Sequence, residues 1–192
     1  MAIPINIEDL LNKRKIESNR IEFKKGWNPD KIYRTICAFA NDFDNIGGGY
    51  IVGGIEEEER TGIAKRPVTG VPIEALNDIQ KDMVGYNNKI EPYYMPRIDV
   101  QEVDGKSVLV IWAPAGVNRP YNVRERVTAK QSPSKWYIRS GTSTIEAKGE
   151  VLDELREMAN RTPFDERGNE RIEISDISPA LVLDYLQTVG SR

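Results

Sequence analysis

The apolar positions along the 192-residue chain change period several times, and each change marks an element. In "INIEDLLNK" they fall at Ile7, Leu10 and Leu11, the spacing of a short helix with one inward face. "NRIEFK" alternates instead, so a strand turns Ile21 and Phe23 to a core and Glu22 and Lys24 the other way. "NPDKIYRTICAFANDF" returns to helical spacing, with a stripe of Ile32, Ile36, Phe39, Ala40 and Phe43. Asn28 is placed to cap it, and Pro29 suits the first turn. "NIGGG" stops the helix, and "YIVGGIEE" reads as a strand buried on both faces.

A second long helix is predicted over "VPIEALNDIQKDMVGYNNKI". Two strands flank Asp104-Gly105 in "RIDVQEVDGKSVLVIWAP", a favoured hairpin-turn pair. "GVNRPYNVRERVTAKQSPSKW" reads as a long polar loop, "WYIRSG" as a strand and "GEVLDELREMANR" as a helix. A linker-like stretch leads to "SPALVLDYLQTVGSR", an amphipathic helix with Ser178 at its cap. The pattern predicts an α/β (α+β) chain, a mixed sheet flanked by helices over residues 1–160. Residues 161–192 are expected to be a linker and helix leading towards a further region.

Composition removes whole classes of chemistry. There is no histidine, so histidine-based hydrolases and imidazole zinc sites are out. The one cysteine, Cys37, permits no internal disulfide and reads as core. Hydrolysis would need carboxylates, lysine or tyrosine, with a hard cation such as magnesium or manganese. No apolar run is long enough for a membrane span or signal peptide, so the expected location is cytoplasmic, with no membrane partner.

Charge is uneven: residues 1–145 carry a net +2 and residues 146–192 a net −5. One basic stretch holds Lys13, Arg14, Lys15, Arg20, Lys24, Lys25, Lys31 and Arg34. A second holds Arg119, Arg124, Arg126, Lys130, Lys135 and Arg139, with Glu125 its one acid. Such stretches are compatible with a nucleic-acid face, DNA or structured RNA, while on charge alone a solvated surface is the plainer reading. Trp27, Tyr33, Tyr121, Trp136 and Tyr137 lie among them, as stacking or core residues.

Glu17 and Glu22 are five apart, which places them together on neither a helix nor a strand, so the chain must turn between them to join them. Glu22 and Lys24 share a strand face, an arrangement open to metal-nuclease chemistry or to charge compensation. Glu56, nearest the buried strand in "IEEEE", is the candidate third carboxylate. The glycines of "IGGGYIVGG" follow a helix and precede a strand, the reverse of a phosphate loop, and are expected to turn and pack the backbone.

Three segments in order, "ESNRIEFKKGW", "ICAFANDFDNIGGGYIVGGIEEE" and "KWYIRSGTSTIEAKGEVLDEL", resemble the Schlafen-type, Alba-like DNA-binding domain family. The resemblance covers roughly residues 8–160. It implies a mixed α/β fold, often placed ahead of an ATPase-like or winged-helix segment, in bacterial transcriptional regulators and RecG-helicase-related proteins. It also implies two functional readings. Basic residues would contact phosphates: Lys13, Arg14, Lys15, Arg20, Lys24, Lys25, Arg34, Arg119, Arg124, Arg126, Lys130 and Lys135. Alternatively, as in animal Schlafens, three carboxylates would hold a divalent metal and cut RNA. Glu17 and Glu22 match that family's glutamate pair, and the third acid would fall near Glu56 or Glu57, in a glutamate run where the family carries aspartate. Glu17, Glu22 and Glu56 would then be the metal ligands, with Lys24 beside the reacting phosphate. A non-catalytic assembly domain, with or without homo-oligomerisation, is the third reading.

Overall fold

The computed structural model describes residues 4–12, 18–58, 60–159 and 178–190. The chain divides into two compact units, Met1–Ala159 and Asn160–Arg192. The first is mixed α+β, and its strands are shared between two sheets.

The first sheet has the order β1-β2-β5-β4. Its strands are β1 (Ile21–Lys24), β2 (Gly49–Gly53), β4 (Arg97–Val103) and β5 (Lys106–Ala113). β1 and β2 are parallel, with Glu22 beside Ile51; the other pairings are antiparallel. The β4–β5 hairpin turns on Asp104 and Gly105, both at positive φ (52° and 70°), the conformation that Asp-Gly adopts most readily. The second sheet is antiparallel, in the order β3-β6-β7-β8. It is built from β3 (Ile90–Glu91), β6 (Asn122–Arg124), β7 (Ser134–Ser140) and β8 (Ser143–Glu146).

Helix α2 (Pro29–Asn41) lies in the core that joins the two sheets. Nine of its thirteen residues are buried. Its apolar residues pack with Ile51, Leu109 and Ile111 of the first sheet and with Val123 and Tyr137 of the second, and α3 (Ile73–Asn87) completes this core through Leu76, Ile79 and Met83. On the far face of the first sheet, Ile21, Phe23, Tyr50 and Val52 pack with Leu10 and Leu11 of α1 (Ile7–Leu11). A third cluster joins Ile138 and Ala147 to Leu155 of α4 (Glu150–Met158).

Asn28 caps α2 by accepting a hydrogen bond from the Lys31 amide (3.1 Å), with Pro29 in the first turn. The helix stops at Asn41 because Asp42 turns left-handed (φ 44°), so Phe43 leaves the stripe and packs with the third cluster. Three strands escape the hydrophobic pattern. β3 is two residues long, β6 interrupts the expected polar loop, and β8 follows a two-residue turn in a hydroxyl-rich stretch. In the second unit, α5 (Pro179–Thr188) buries no residue, and Ser178 stands at its cap without a side-chain cap bond. The linker stretch lies outside the described residues. No described helix is long and apolar enough to cross a membrane.

Candidate nucleic-acid cleft

Alternation on β1 buries Ile21 and Phe23 and leaves Glu22 and Lys24 half-exposed on the opposite face. β1 is the edge of its sheet, so this face meets a cleft of about 350 Å³. Lys24 and Glu22 line one wall, Lys31, Arg34 and Thr35 come from α2, and Tyr137, Thr142, Ser143 and Thr144 come from β7, β8 and the turn between them. Three cations and a row of hydroxyls therefore converge, with Glu22 the one carboxylate among the lining residues.

Each cation is held differently. Lys24 Nζ lies 2.5 Å from Glu22 Oε1. Arg34 is anchored by Nε, which donates to the Glu125 carbonyl (3.1 Å). Lys31 is exposed and has no carboxylate partner among the described residues. Behind the cleft, Arg139 is 7% exposed and lies over the Phe39 ring. Its guanidinium donates to Glu22 Oε2 (3.1 Å), Thr144 Oγ1 (2.9 Å) and the carbonyls of Thr142 (2.7 Å) and Asn19 (3.2 Å). One buried side chain thereby ties β1, the segment before it and the β7–β8 turn together. Burial holds the Tyr137 phenol above its ordinary pKa.

The remaining basic candidates are distributed elsewhere. Lys13, Arg14, Lys15 and Glu17 lie outside the described residues. Arg20 donates to the carbonyls of Gly48 (2.7 Å) and Gly47 (3.1 Å). Arg119 reaches the carbonyls of Asn41 (3.2 Å) and Asp42 (3.1 Å), where a helix end leaves acceptors unmet. Both serve the fold. Lys135 bridges Glu125 (2.7 Å) and Glu146 (3.3 Å), and the Glu125 contact raises its pKa. Arg124 donates to the Lys130 carbonyl (3.1 Å), while the Arg126 and Lys130 side chains are exposed. Lys25 pairs with Glu56 (2.6 Å) and holds that carboxyl below its usual range.

The expected metal ligands do not form a set among the described residues. Glu22 is taken by Lys24 and Arg139, and Glu56 by Lys25, with Lys65 at 4.0 Å. Glu56 is not among the cleft residues, and no group of three or more acidic or thiol side chains is placed to hold a metal ion among the described residues. Glu17, the third expected ligand, lies outside the described residues, and a divalent ion at Glu22 or Glu56 would have to displace the lysine now paired with each.

The glycine loop carries its own anion. Asp42 is buried and accepts from the amides of Ile46 (3.1 Å), Gly47 (3.0 Å) and Gly48 (3.0 Å). The N–H groups a phosphate would need there are occupied, which agrees with a turning and packing role. Tyr33, Tyr121 and Tyr137 are core residues at 0%, 2% and 5% exposure, so their rings are closed to base stacking. In the sequence Lys31 and Arg139 stand in basic stretches without a sign of their individual roles, and the hydroxyls of Thr142, Ser143 and Thr144 are unmarked. The available signal was "GTST" directly after an alternating strand that ends in an arginine.

The family model described as Schlafen, AlbA_2 matches residues 17–148. A crystal structure of a Corynebacterium diphtheriae protein is similar at 20% identity and a TM-score of 0.49, covering 88% of this chain and 29% of that one. The chain thus spans less than a third of that protein's length. The N-terminal domain of an ATP-dependent DNA helicase RecG-related protein from Nitrosomonas europaea, solved in solution, is similar at 26% identity and a TM-score of 0.48, covering 70% of this chain and 88% of that domain. Among curated proteins none is similar enough to match.

Proposed function

The chain belongs to the Schlafen AlbA_2 family, and from that membership we propose that it is a nucleic-acid-binding module, with the β1–α2–β8 cleft taking the phosphates of the bound strand. DNA is the ligand that the family resemblance implies. The supporting observation is the cleft's composition: Lys24, Lys31, Arg34 and five hydroxyl-bearing residues line one concave surface that holds a single acid. Cations there neutralise phosphates and release condensed counterions, and the hydroxyls donate to phosphate oxygens without reading sequence. Arg34 is the central contact. Its Nε is fixed on the Glu125 carbonyl, so the guanidinium is oriented before ligand arrives.

Fluorescence anisotropy with labelled single-stranded oligonucleotides across a salt series tests the reading. The expected slope corresponds to about two or three phosphates, and Arg34→Gln and Lys31→Gln each flatten it by about one contact. Binding indifferent to salt, or unchanged in both variants, overturns the proposal. Cleavage of the oligonucleotide on adding manganese, lost in Glu22→Gln, would replace it with the nuclease reading.

A further inference from the structure

In a phosphate cleft Glu22 works against its neighbours, because a carboxylate repels the ligand that the cations attract. Its two oxygens are committed unequally. Oε2 faces Arg139, which is 7% exposed and fixed by three other acceptors, so this contact is rigid. Oε1 faces Lys24, whose ammonium sits at the end of a flexible stem with a quarter of the side chain exposed (26%). One cation is part of the frame, and the other can leave.

We propose that Glu22 is the specificity-determining residue of this cleft, an internal competitor that holds Lys24 until a ligand phosphate displaces it. The inference rests on the nucleic-acid reading given above. When a strand enters, Lys24 swings from Glu22 Oε1 to a phosphate oxygen, while Oε2 stays on Arg139. No bond is made or broken, and one ion pair is exchanged for another. A single small anion must displace Glu22 unaided and then sits beside its charge. A strand already held at Lys31 and Arg34 presents its next phosphate at high effective concentration and makes the exchange. The cleft therefore takes chains of phosphates and discriminates against isolated ones.

The test is a double-mutant cycle on the full chain in EDTA, so that no divalent cation contributes. Wild type, Glu22→Gln, Lys24→Gln and the double variant are titrated with a labelled single-stranded oligonucleotide, and thermal melting confirms that each is folded. Gln at position 22 keeps an acceptor for Arg139 and removes the charge. The expected result is about fivefold tighter binding in Glu22→Gln, the worth of one partly exposed ion pair that the strand no longer has to break, with Arg139 balancing the Glu22 charge in every background. That gain vanishes when Lys24→Gln is added. In Glu22→Gln, inorganic phosphate also competes off the oligonucleotide at a lower concentration than in wild type. If Glu22→Gln fails to fold, Glu22→Thr, a residue suited to a strand, takes its place in the cycle. Binding equal to or weaker than wild type in the Glu22 variant overturns the competitor role, as does a gain that survives loss of Lys24. No binding by wild type overturns the nucleic-acid reading itself, so the two failures are distinct.

Discussion

Asn41 shows how much a single polar side chain carries when it is fully buried. It is the last residue of α2, at 0% exposure. Its Nδ2 donates to the carbonyls of Tyr121 (2.9 Å) and Tyr137 (2.8 Å), and its Oδ1 accepts from the Tyr121 amide (2.6 Å). All three partners are backbone groups of the second sheet or the segment leading into it. Asn41→Ala strands them without water, and we expect a loss of about 3 kcal/mol or more, read as a lower midpoint in urea with an unchanged slope. Asn41→Asp should cost at least as much, because a carboxylate cannot donate to two carbonyls. A loss under about 1 kcal/mol for Asn41→Ala would show that the helix–sheet junction is held by apolar packing alone. Cys37, one turn earlier, is fully buried, and burial pushes its thiol up to about 12, which makes it a core residue rather than a nucleophile.

Elements were legible wherever packing follows a period. The alternation of "RIEFK" and the Asp-Gly hairpin appear as predicted, as does the capped stripe of α2 from Ile32 to Ala40, Phe43 alone falling outside it. β3, β6 and β8 were not legible, since strands of two to four residues are too short to show a period and are held by their neighbours' backbone bonds. The turn from α2 into β2 shows why its glycines are spaced as they are. A Cβ on Gly48 would lie 2.2 Å from the Ala113 carbonyl oxygen and 2.7 Å from the Ala115 amide nitrogen, and its φ is +78°. Backbone cannot swing aside, so Gly48→Ala should cost about 3 kcal/mol or more. At Gly47 the nearest atom is the end of the Arg20 side chain (3.3 Å), and Gly47→Ala should cost only the left-handed backbone penalty of about 1–2 kcal/mol. Equal melting temperatures for the two variants would refute the close-packing role of Gly48.

At the scale of the whole molecule, all three apolar clusters lie within Met1–Ala159, and α5 leaves Leu181, Leu183 and Tyr185 more than half exposed. The three clusters share this one unit, so a chain ending at Ala159 should unfold in a single cooperative transition. A broadened or two-step transition would mean that the clusters unfold separately. The same scale decides the site. Lys24, Arg34 and Thr144 are up to 120 residues apart in sequence, and they line one cleft because the two sheets share α2.

By itself the sequence determined the mixed α+β class, the main helices and strands, the exclusion of histidine and disulfide chemistry, and which residues of β1 face away from the core. These follow from composition and local period, which act between residues near in the chain. Only the tertiary structure decided which charges act together. Arg20 was drawn onto carbonyls of the glycine loop and Arg119 onto those at the end of α2, Lys25 and Lys135 into ion pairs, and Asp42 into the amides of the glycine loop. Lys24, Lys31 and Arg34 were left around one cleft. A charge's partner is set by distance through space, and in this fold the nearest opposite charge or carbonyl often belongs to another element.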